Sequence, residues 1–185
     1  VLRTARCDVA IYLQQHDRPI RRILVPMGGG PHARFGLRLA GDLAVGGMGR
    51  VTALRVVQPD VNLDIEAKQK AMDHILSQEL ADGQERNGAT AKVIQSTSVV
   101  SGILDEAAQG YDLIIIGASE EWGLRNWLMG AIPDIIAEGA PCSVLMVRKH
   151  EPAGVSWLRR QIQKPRESAR KLEPQLSMIN EIVPG

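Results

Sequence analysis

Short apolar runs alternate with longer amphipathic stretches along the first 150 residues of this chain. The runs are almost continuously apolar, which is typical of strands in a parallel sheet that is covered on both faces. The pattern predicts five strands, at Arg22–Met27, Val51–Val57, Ala89–Gln95, Asp112–Gly117 and Cys142–Arg148.

Helical periodicity fills the gaps between these strands. Pro31–Val45 places Ala33, Leu37, Ala40 and Ala44 on one face, and Pro31 suits a first helical turn because its φ is already fixed. Further helices are predicted at Asn62–Arg86, Ser98–Gln109 and Pro133–Glu138. This alternation indicates the α/β class, with a doubly wound parallel sheet and right-handed crossovers.

Composition restricts the function classes. The 185 residues carry a net charge of +1, so no global basic character points to nucleic acid. No apolar run approaches the roughly 20 residues of a membrane span, and no secretory signal is visible. Cys7 and Cys142 both lie in strand-like runs, and we predict two reduced, buried thiols in a cytoplasmic protein.

A weak internal repeat relates the start of the chain to its last predicted strand. At an offset of 135, Val1–Leu13 aligns with Ile136–Arg148, and Cys7 meets Cys142. One interpretation is chance similarity between two strands. The other is that residues 1–20 are the last strand and linker of a preceding domain, followed by a domain at 21–150 and a tail at 151–185. On that interpretation the chain is a fragment of a longer protein.

The tail is polar and broken by prolines. Within it, Trp157–Lys164 forms a short basic amphipathic stretch. This stretch is predicted either to pack on its own domain as a partly ordered helix or to touch a membrane surface or a neighbouring domain.

The segments ILVPMGGGPHARFGLRLA, DLIIIG and GAIPDIIAEGAPCSVLMVR, in this order and spacing, resemble the universal stress protein family over roughly Arg21–Arg148. The resemblance implies a five-stranded parallel sheet in the order 3-2-1-4-5. Family members pair their last strands antiparallel, as dimers or tandem copies. Residues 7–13 are therefore expected to add an antiparallel edge strand beside Cys142–Arg148, which would otherwise be an unpaired apolar edge.

Nucleotide-binding members of that family carry a signature of Gly, two residues, Gly, nine residues, Gly and then Ser or Thr. Here Gly117 and Gly130 match, but Glu120 replaces the second glycine and Ala131 replaces the hydroxyl. Such members also carry an Asp after the first strand, where this chain has Gly28.

These departures predict a degenerate nucleotide pocket. Glu120, with Glu121 beside it, would repel phosphate, and two unit charges ~4 Å apart interact by roughly 4 kcal/mol at an effective dielectric near 20. Losing the hydroxyl at Ala131 removes one donor, worth about 1 kcal/mol. We expect no strong cofactor, and at most a weakly bound adenine nucleotide. The candidate binding residues are Pro26, Gly28, Gly29, Val56, Gly117, Gly130 and Ala131.

Other features of the pocket remain open to two interpretations. The glycines at 28–30 either expose backbone donors to a ligand or merely form a turn. Trp122 and Trp127 either stack on a base or partner, or seal the loop onto the domain. His32 either faces the pocket or is simply solvated.

The sequence therefore predicts a non-enzymatic regulatory or interaction domain. No zinc-ligand spacing, Walker A lysine or nucleophile elbow is present, and no basic residue lies inside the glycine turn. The expected partners are a tandem domain or a second copy through the last strand, and a membrane transporter in the same chain; no nucleic acid is expected. The alternative function is a sensor of an adenine nucleotide or a cyclic dinucleotide, and slow nucleotide hydrolysis is a third hypothesis.

Overall fold

The computed structural model describes residues 6–47, 49–60, 64–80, 88–118 and 131–150. The strands in these ranges are β1 (Val9–Leu13), β2 (Arg22–Pro26), β3 (Arg50–Val57), β4 (Ala89–Gln95), β5 (Leu113–Gly117) and β6 (Ser143–Arg148). The helices are α1 (Gly30–Gly47), α2 (Ile65–Glu79), α3 (Val99–Ala107) and α4 (Ala131–Gly139). Each of the five predicted strands is present: β4 has the predicted bounds, and each of the other four differs by one residue at one end.

The six strands form one sheet in the order β1-β6-β5-β2-β3-β4. Strands β2 to β6 are parallel, and in the numbering of the five predicted strands their order is 3-2-1-4-5, as expected. β1 pairs antiparallel with β6, with Val9 opposite Arg148 and Leu13 opposite Val144. The predicted fold class and the extra edge strand are confirmed.

Helices cover the parallel strands on both faces. α1 and α2 bury one apolar cluster, which includes Ile23, Val25, Leu37 and Ile115. α3 and α4 bury the other, which includes Leu24, Ile103, Ile114 and Ile136. Alternate residues of β2 and β5 enter opposite clusters, which explains why these strands read as continuously apolar.

Helix α2 is shorter than the predicted Asn62–Arg86. Asp64 lies outside the helix as its N-cap, and its Oδ1 accepts a hydrogen bond from the Ala67 amide at 2.9 Å. Leu80 closes the other end with non-helical φ and ψ of −117° and 60°. The prediction began this helix too early because apolar periodicity was extended past a residue type that favours capping, and residues 81–86 of the predicted range lie outside the described residues.

The two thiols do not share one environment. Cys142 is fully buried beside β6, as predicted, whereas Cys7 is exposed ahead of β1. The prediction of a buried Cys7 is wrong for this structure, because β1 is an edge strand and no described element covers this residue.

The segment between β1 and β2 is fixed along the amino ends of the parallel strands. Asp112 Oδ2 accepts hydrogen bonds from the backbone amides of Arg21 and Arg22 at 3.0 and 2.9 Å, and Asp112 also forms an ion pair with Arg18 at 3.7 Å. The backbone amide of Gln15 donates a hydrogen bond to Ser143 Oγ at 3.1 Å. β1 is therefore held by this segment as well as by its pairing with β6.

None of the helices in the described ranges has the length and apolar character that crossing a bilayer requires.

Candidate functional site

The carboxyl ends of β2 and β5 mark the place where an open α/β sheet usually binds ligands. These two strands are neighbours in the sheet, and the chain leaves them in opposite directions, to β3 and to β6. A crevice forms outside the strand ends at such a switch point. The residues that follow β2, β3 and β5 are thus the first candidates for a site.

Three exposed glycines join β2 to α1. Gly29 and Gly30 have φ of 94° and 81°, a region that other residues rarely adopt. A Cβ built at either position would meet no atom within 4 Å, so backbone conformation rather than crowding explains these glycines. The turn exposes backbone and presents no side chain at Gly28, where nucleotide-binding relatives are expected to have an Asp.

The amino end of α1 carries no acidic residue in its first turn. Backbone N–H groups at such an end lack helical partners and give it a partial positive charge. The glycine turn and this helix end together leave the site open to an acceptor group of a ligand.

Arg55 contacts the glycine turn from the neighbouring strand. This contact could not be predicted from the sequence. Arg55 lies on β3, and its Nη1 donates to the Met27 carbonyl oxygen at 2.8 Å. Met27 in turn donates its amide to Leu54 O at 2.7 Å. The glycine turn has no basic residue of its own, but the guanidinium of Arg55 reaches it from the neighbouring strand.

Pro26 and Val56 face the same side of the sheet, toward α3. Pro26 is buried at the end of β2, and Val56 is half-buried on β3. A Cβ at Gly102 of α3 would lie 2.9 Å from Val56 Cγ1, so this glycine lets α3 close over Val56. The two predicted residues therefore line one apolar wall at the carboxyl edge.

Gly117 faces the opposite side. A Cβ there would lie 2.6 Å from both the Ala33 nitrogen and the His32 carbonyl carbon, which are backbone atoms of α1. Close packing of β5 against the start of α1 is enough to require glycine at this position. Its predicted role in binding stays a prediction.

His32 is half-buried and is not simply solvated. Its Nδ1 accepts a hydrogen bond from the Lys149 amide at 3.1 Å, which joins the first turn of α1 to the end of β6. The expectation of a solvated His32 is corrected by this contact between residues far apart in sequence.

The remaining candidates lie mostly outside the described residues. These are Gly130, Glu120, Glu121, Trp122 and Trp127, together with the tail stretch Trp157–Lys164. Ala131 is the first residue of α4, but its side chain is not described. The structure brings together Pro26, Gly28, Gly29, Val56 and Gly117 at one edge, and it does not test the acidic loop.

The described ranges contain no group of three or more His, Cys, Asp or Glu residues that could hold a metal ion. Among the described residues, this edge presents backbone groups, the apolar wall of Pro26 and Val56, the His32 ring and the Arg55 guanidinium.

Comparison with known proteins supports the same fold. Residues 19–148 match the model of the universal stress protein family. A search of curated proteins gave no match.

Solved structures with this fold are numerous. A universal stress protein in complex with cAMP has a TM-score of 0.59 at 14% identity, over 71% of this chain and 99% of that chain. UspA from Lactobacillus plantarum has a TM-score of 0.54 at 18% identity, over 71% and 100%. A universal stress protein from Archaeoglobus fulgidus has a TM-score of 0.58 at 19% identity, over 77% of this chain and 50% of that one. With the matching strand order and the family match over residues 19–148, this chain belongs to the universal stress protein family.

Proposed function

We propose that this domain is a non-enzymatic regulatory or interaction module whose nucleotide pocket binds phosphate only weakly. The observation that carries the proposal is the β2–α1 turn. It ends in Gly28, Gly29 and Gly30, all exposed, so no side chain extends from the strand end to hold a ribose or a base.

The sequence of residues 117–131 supports the same proposal. Glu120 and Glu121 add negative charge where phosphates would approach, and Ala131 offers no hydroxyl donor. Charge repulsion and a missing donor both act against a triphosphate more than against an uncharged ligand group.

A second candidate is a sensor of an adenine nucleotide or a cyclic dinucleotide. The exposed glycine turn, the open end of α1 and the apolar wall of Pro26 and Val56 favour it, because these are groups that a base and a single phosphate could use. One relative of the same fold was solved in complex with cAMP. This candidate requires less negative charge on the ligand than ATP carries.

Titration calorimetry of the 185-residue chain with ATP, AMP, cAMP and a cyclic dinucleotide separates the two candidates. The regulatory module predicts no saturable heat with ATP at micromolar concentration. Saturable heat with AMP, cAMP or the cyclic dinucleotide would favour the sensor. Saturable micromolar binding of ATP itself would overturn the account of a weakened pocket, and phosphate release above a heat-killed control would show an enzyme.

Three variants test why ATP binds weakly. Glu120→Gly with Ala131→Ser restores the family signature and should strengthen ATP binding by tenfold or more. Glu120→Gln removes the charge but keeps the bulk, so it separates repulsion from crowding. Glu66→Gln, which removes an exposed carboxylate in the first turn of α2, is the control for a change in net charge. No gain in the double variant would refute this explanation.

The same proposal includes a location in the cell and a larger protein of which this domain is part. We infer a cytoplasmic domain that regulates a larger protein, with a membrane transporter in the same polypeptide as the leading model. The support is the basic, tryptophan-containing stretch Trp157–Lys164 and the repeat at the start of the chain. The complete reading frame tests it, because the absence of upstream apolar spans would end the transporter model.

A further inference from the structure

Arg55 is a half-buried cation near the carboxyl end of β3. None of the ion pairs between described residues includes it. Removing a guanidinium partly from water costs free energy unless an opposite charge lies nearby. Within the part of the chain that the structure describes, the charge of Arg55 is therefore not balanced by a carboxylate.

Two arginines of α1, the helix that covers the same face of the sheet, do have a carboxylate partner. Arg34 Nη1 lies 2.6 Å from Glu79 Oε1, and Arg38 pairs with the other oxygen of the same carboxylate. The Glu79 side chain is only 10% exposed, and both of its oxygens are used by these two arginines. Arg34 and Arg38 are thus balanced, and Arg55 is not.

The hydrogen bond of Arg55 uses only one side of its guanidinium. Nη1 donates to the Met27 carbonyl oxygen. Nε and Nη2 form the fork that binds two oxygens of one phosphate or carboxylate, and they have no acceptor among the described residues. The bond to Met27 therefore holds the guanidinium beside the glycine turn and leaves this fork available to a ligand.

Arg55 and the apolar wall of the candidate site lie on opposite faces of the sheet. Arg55 and Val56 are successive residues of β3, so their side chains point to opposite faces. Met27 and Ala53 belong to the cluster under α1 and α2, whereas Val56 packs against the cluster under α3 and α4. A ligand that lies across the ends of β2 and β3 can contact both Arg55 and Val56.

The charge of this edge limits the ligand. Pro26 and Val56 offer apolar contact to a flat ring, and the segment from Pro26 to Gly30 contains no charged residue. One guanidinium binds one phosphate as a bidentate pair, whereas a triphosphate would leave most of its charge unpaired.

We propose that Arg55 binds the anionic group of the ligand and restricts the site to molecules that combine a flat apolar ring with a single phosphate. This inference rests on the sensor candidate above and names the ligand class of that site. The contact to phosphate then comes from β3, and it does not require residues 117–131.

Pairs of ligands that differ only in the phosphate test the proposal. The 185-residue chain is titrated by calorimetry with AMP and adenosine, and with phenyl phosphate and phenol. The phosphate should improve affinity about tenfold or more, and added NaCl should reduce this preference.

The outcomes of this titration separate the two proposals. Equal affinity within the pairs would overturn the role of Arg55 and leave the sensor candidate standing. Preferred binding of phenyl phosphate without binding of AMP would support Arg55 and remove the adenine nucleotide from the sensor candidate. No binding of any of the four compounds would overturn both.

Arg55→Met and Arg50→Met are matched variants at opposite ends of β3. Arg55→Met should abolish the preference for the phosphate-bearing compound and leave the affinity for its partner within about twofold. Arg50 is exposed at the amino end of the strand, so Arg50→Met should keep the preference. Loss of the preference in both variants, or in neither, would contradict the proposal.

Arg55→Lys separates anion binding from support of the Met27 carbonyl. Lysine keeps the charge and can donate to Met27, but it lacks the fork, so phosphate binding should weaken while the urea midpoint stays nearly unchanged. Wild-type phosphate affinity in Arg55→Lys would show that the fork is not used.

The native chain provides a test that does not depend on the folding of any variant. The Nε–H signal of Arg55 in a nitrogen-15 NMR spectrum should shift when phenyl phosphate is added, and the signal of Arg50 should not. An unchanged Arg55 signal at saturating phenyl phosphate would overturn the proposal.

Discussion

Tyr111 and Glu106 form a buried hydrogen bond between the end of α3 and the start of β5. The Tyr111 hydroxyl donates to Glu106 Oε1 at 2.9 Å, and Lys92 Nζ lies 2.7 Å from Glu106 Oε2. Burial, followed by the neighbouring Glu106, raises the pKa of Tyr111, while Thr52 and the cation of Arg22 oppose this rise. Glu106 is only 7% exposed, so its carboxylate depends on these partners.

Tyr111→Phe should lower the free energy of unfolding by about 2 kcal/mol, because a hydrogen bond to a buried charged group is lost while its partner stays buried. Urea denaturation measures this change. Tyr12→Phe, which removes a hydroxyl from an exposed ring, is the control and should change stability by less than about 0.5 kcal/mol. Equal effects would mean that the Tyr111 hydroxyl is not stabilising.

Helix α1 and strand β5 meet with no room for a side chain at Gly117. The clashing atoms would belong to the backbone of α1, so relief requires the helix to move. Because α1 begins at the glycine turn, this contact also fixes the candidate site.

Gly117→Ala should destabilise the fold by about 1–3 kcal/mol. Gly36→Ala is the matched control, since the nearest atoms to its Cβ would be side-chain atoms at 3.3 Å and alanine favours a helix interior. Thermal unfolding of both variants checks the difference. A neutral Gly117→Ala would show that α1 and β5 are not tightly packed in solution.

Asp112 holds the segment that joins β1 to β2, together with the contact between Gln15 and Ser143. Asp112→Ala removes the acceptor of two backbone amides and the partner of Arg18, and should cost about 2 kcal/mol. We expect trypsin to cut faster after Arg21 in this variant, whereas the bond after Arg18 resists trypsin because Pro19 follows it. Asp73→Ala, an exposed carboxylate on α2, should leave the cutting rate unchanged. Slow cutting in both would contradict the proposed anchor.

Stability of the folded chain should fall at alkaline pH. Burial, with the charge of Asp112 as a second cause, raises the pKa of Cys142 from its ordinary 9.0 to about 11. A folded pKa above the unfolded one means that the stabilisation is complete below pH 9 and is lost as pH rises through 11. Tyr111 acts in the same direction above pH 10.

Urea midpoints measured from pH 8 to pH 11 should therefore decrease, with a contribution from Cys142 on the order of 2–3 kcal/mol. Cys142→Ala should flatten this dependence, although it lowers stability at pH 8 by leaving a small cavity. Cys7→Ala should preserve the slope, because Cys7 is exposed. A steep slope that survives Cys142→Ala would assign the effect to other groups.

Local patterns in the sequence were sufficient to predict the strands and most of the helices. The strand order came from resemblance to a family, because periodicity does not say which strands are neighbours. Arg55 beneath the glycine turn, His32 against Lys149 and Lys92 against Glu106 could not be predicted, since each joins residues distant in sequence. Asp64 does indicate the start of α2 in the sequence, because it is a capping residue type directly before an apolar residue, but the prediction did not use it.

β5 runs from the amino edge of the sheet to its carboxyl edge. Asp112, just before it, holds the segment that leads from β1, and Gly117, its last residue, touches the first turn of α1 beside the glycine turn. Leu113 to Ile116 lie between these two residues and are buried, so β5 is rigid and does not act as a hinge. The segment that leads from β1 and the candidate site are consequently anchored at opposite ends of one buried strand.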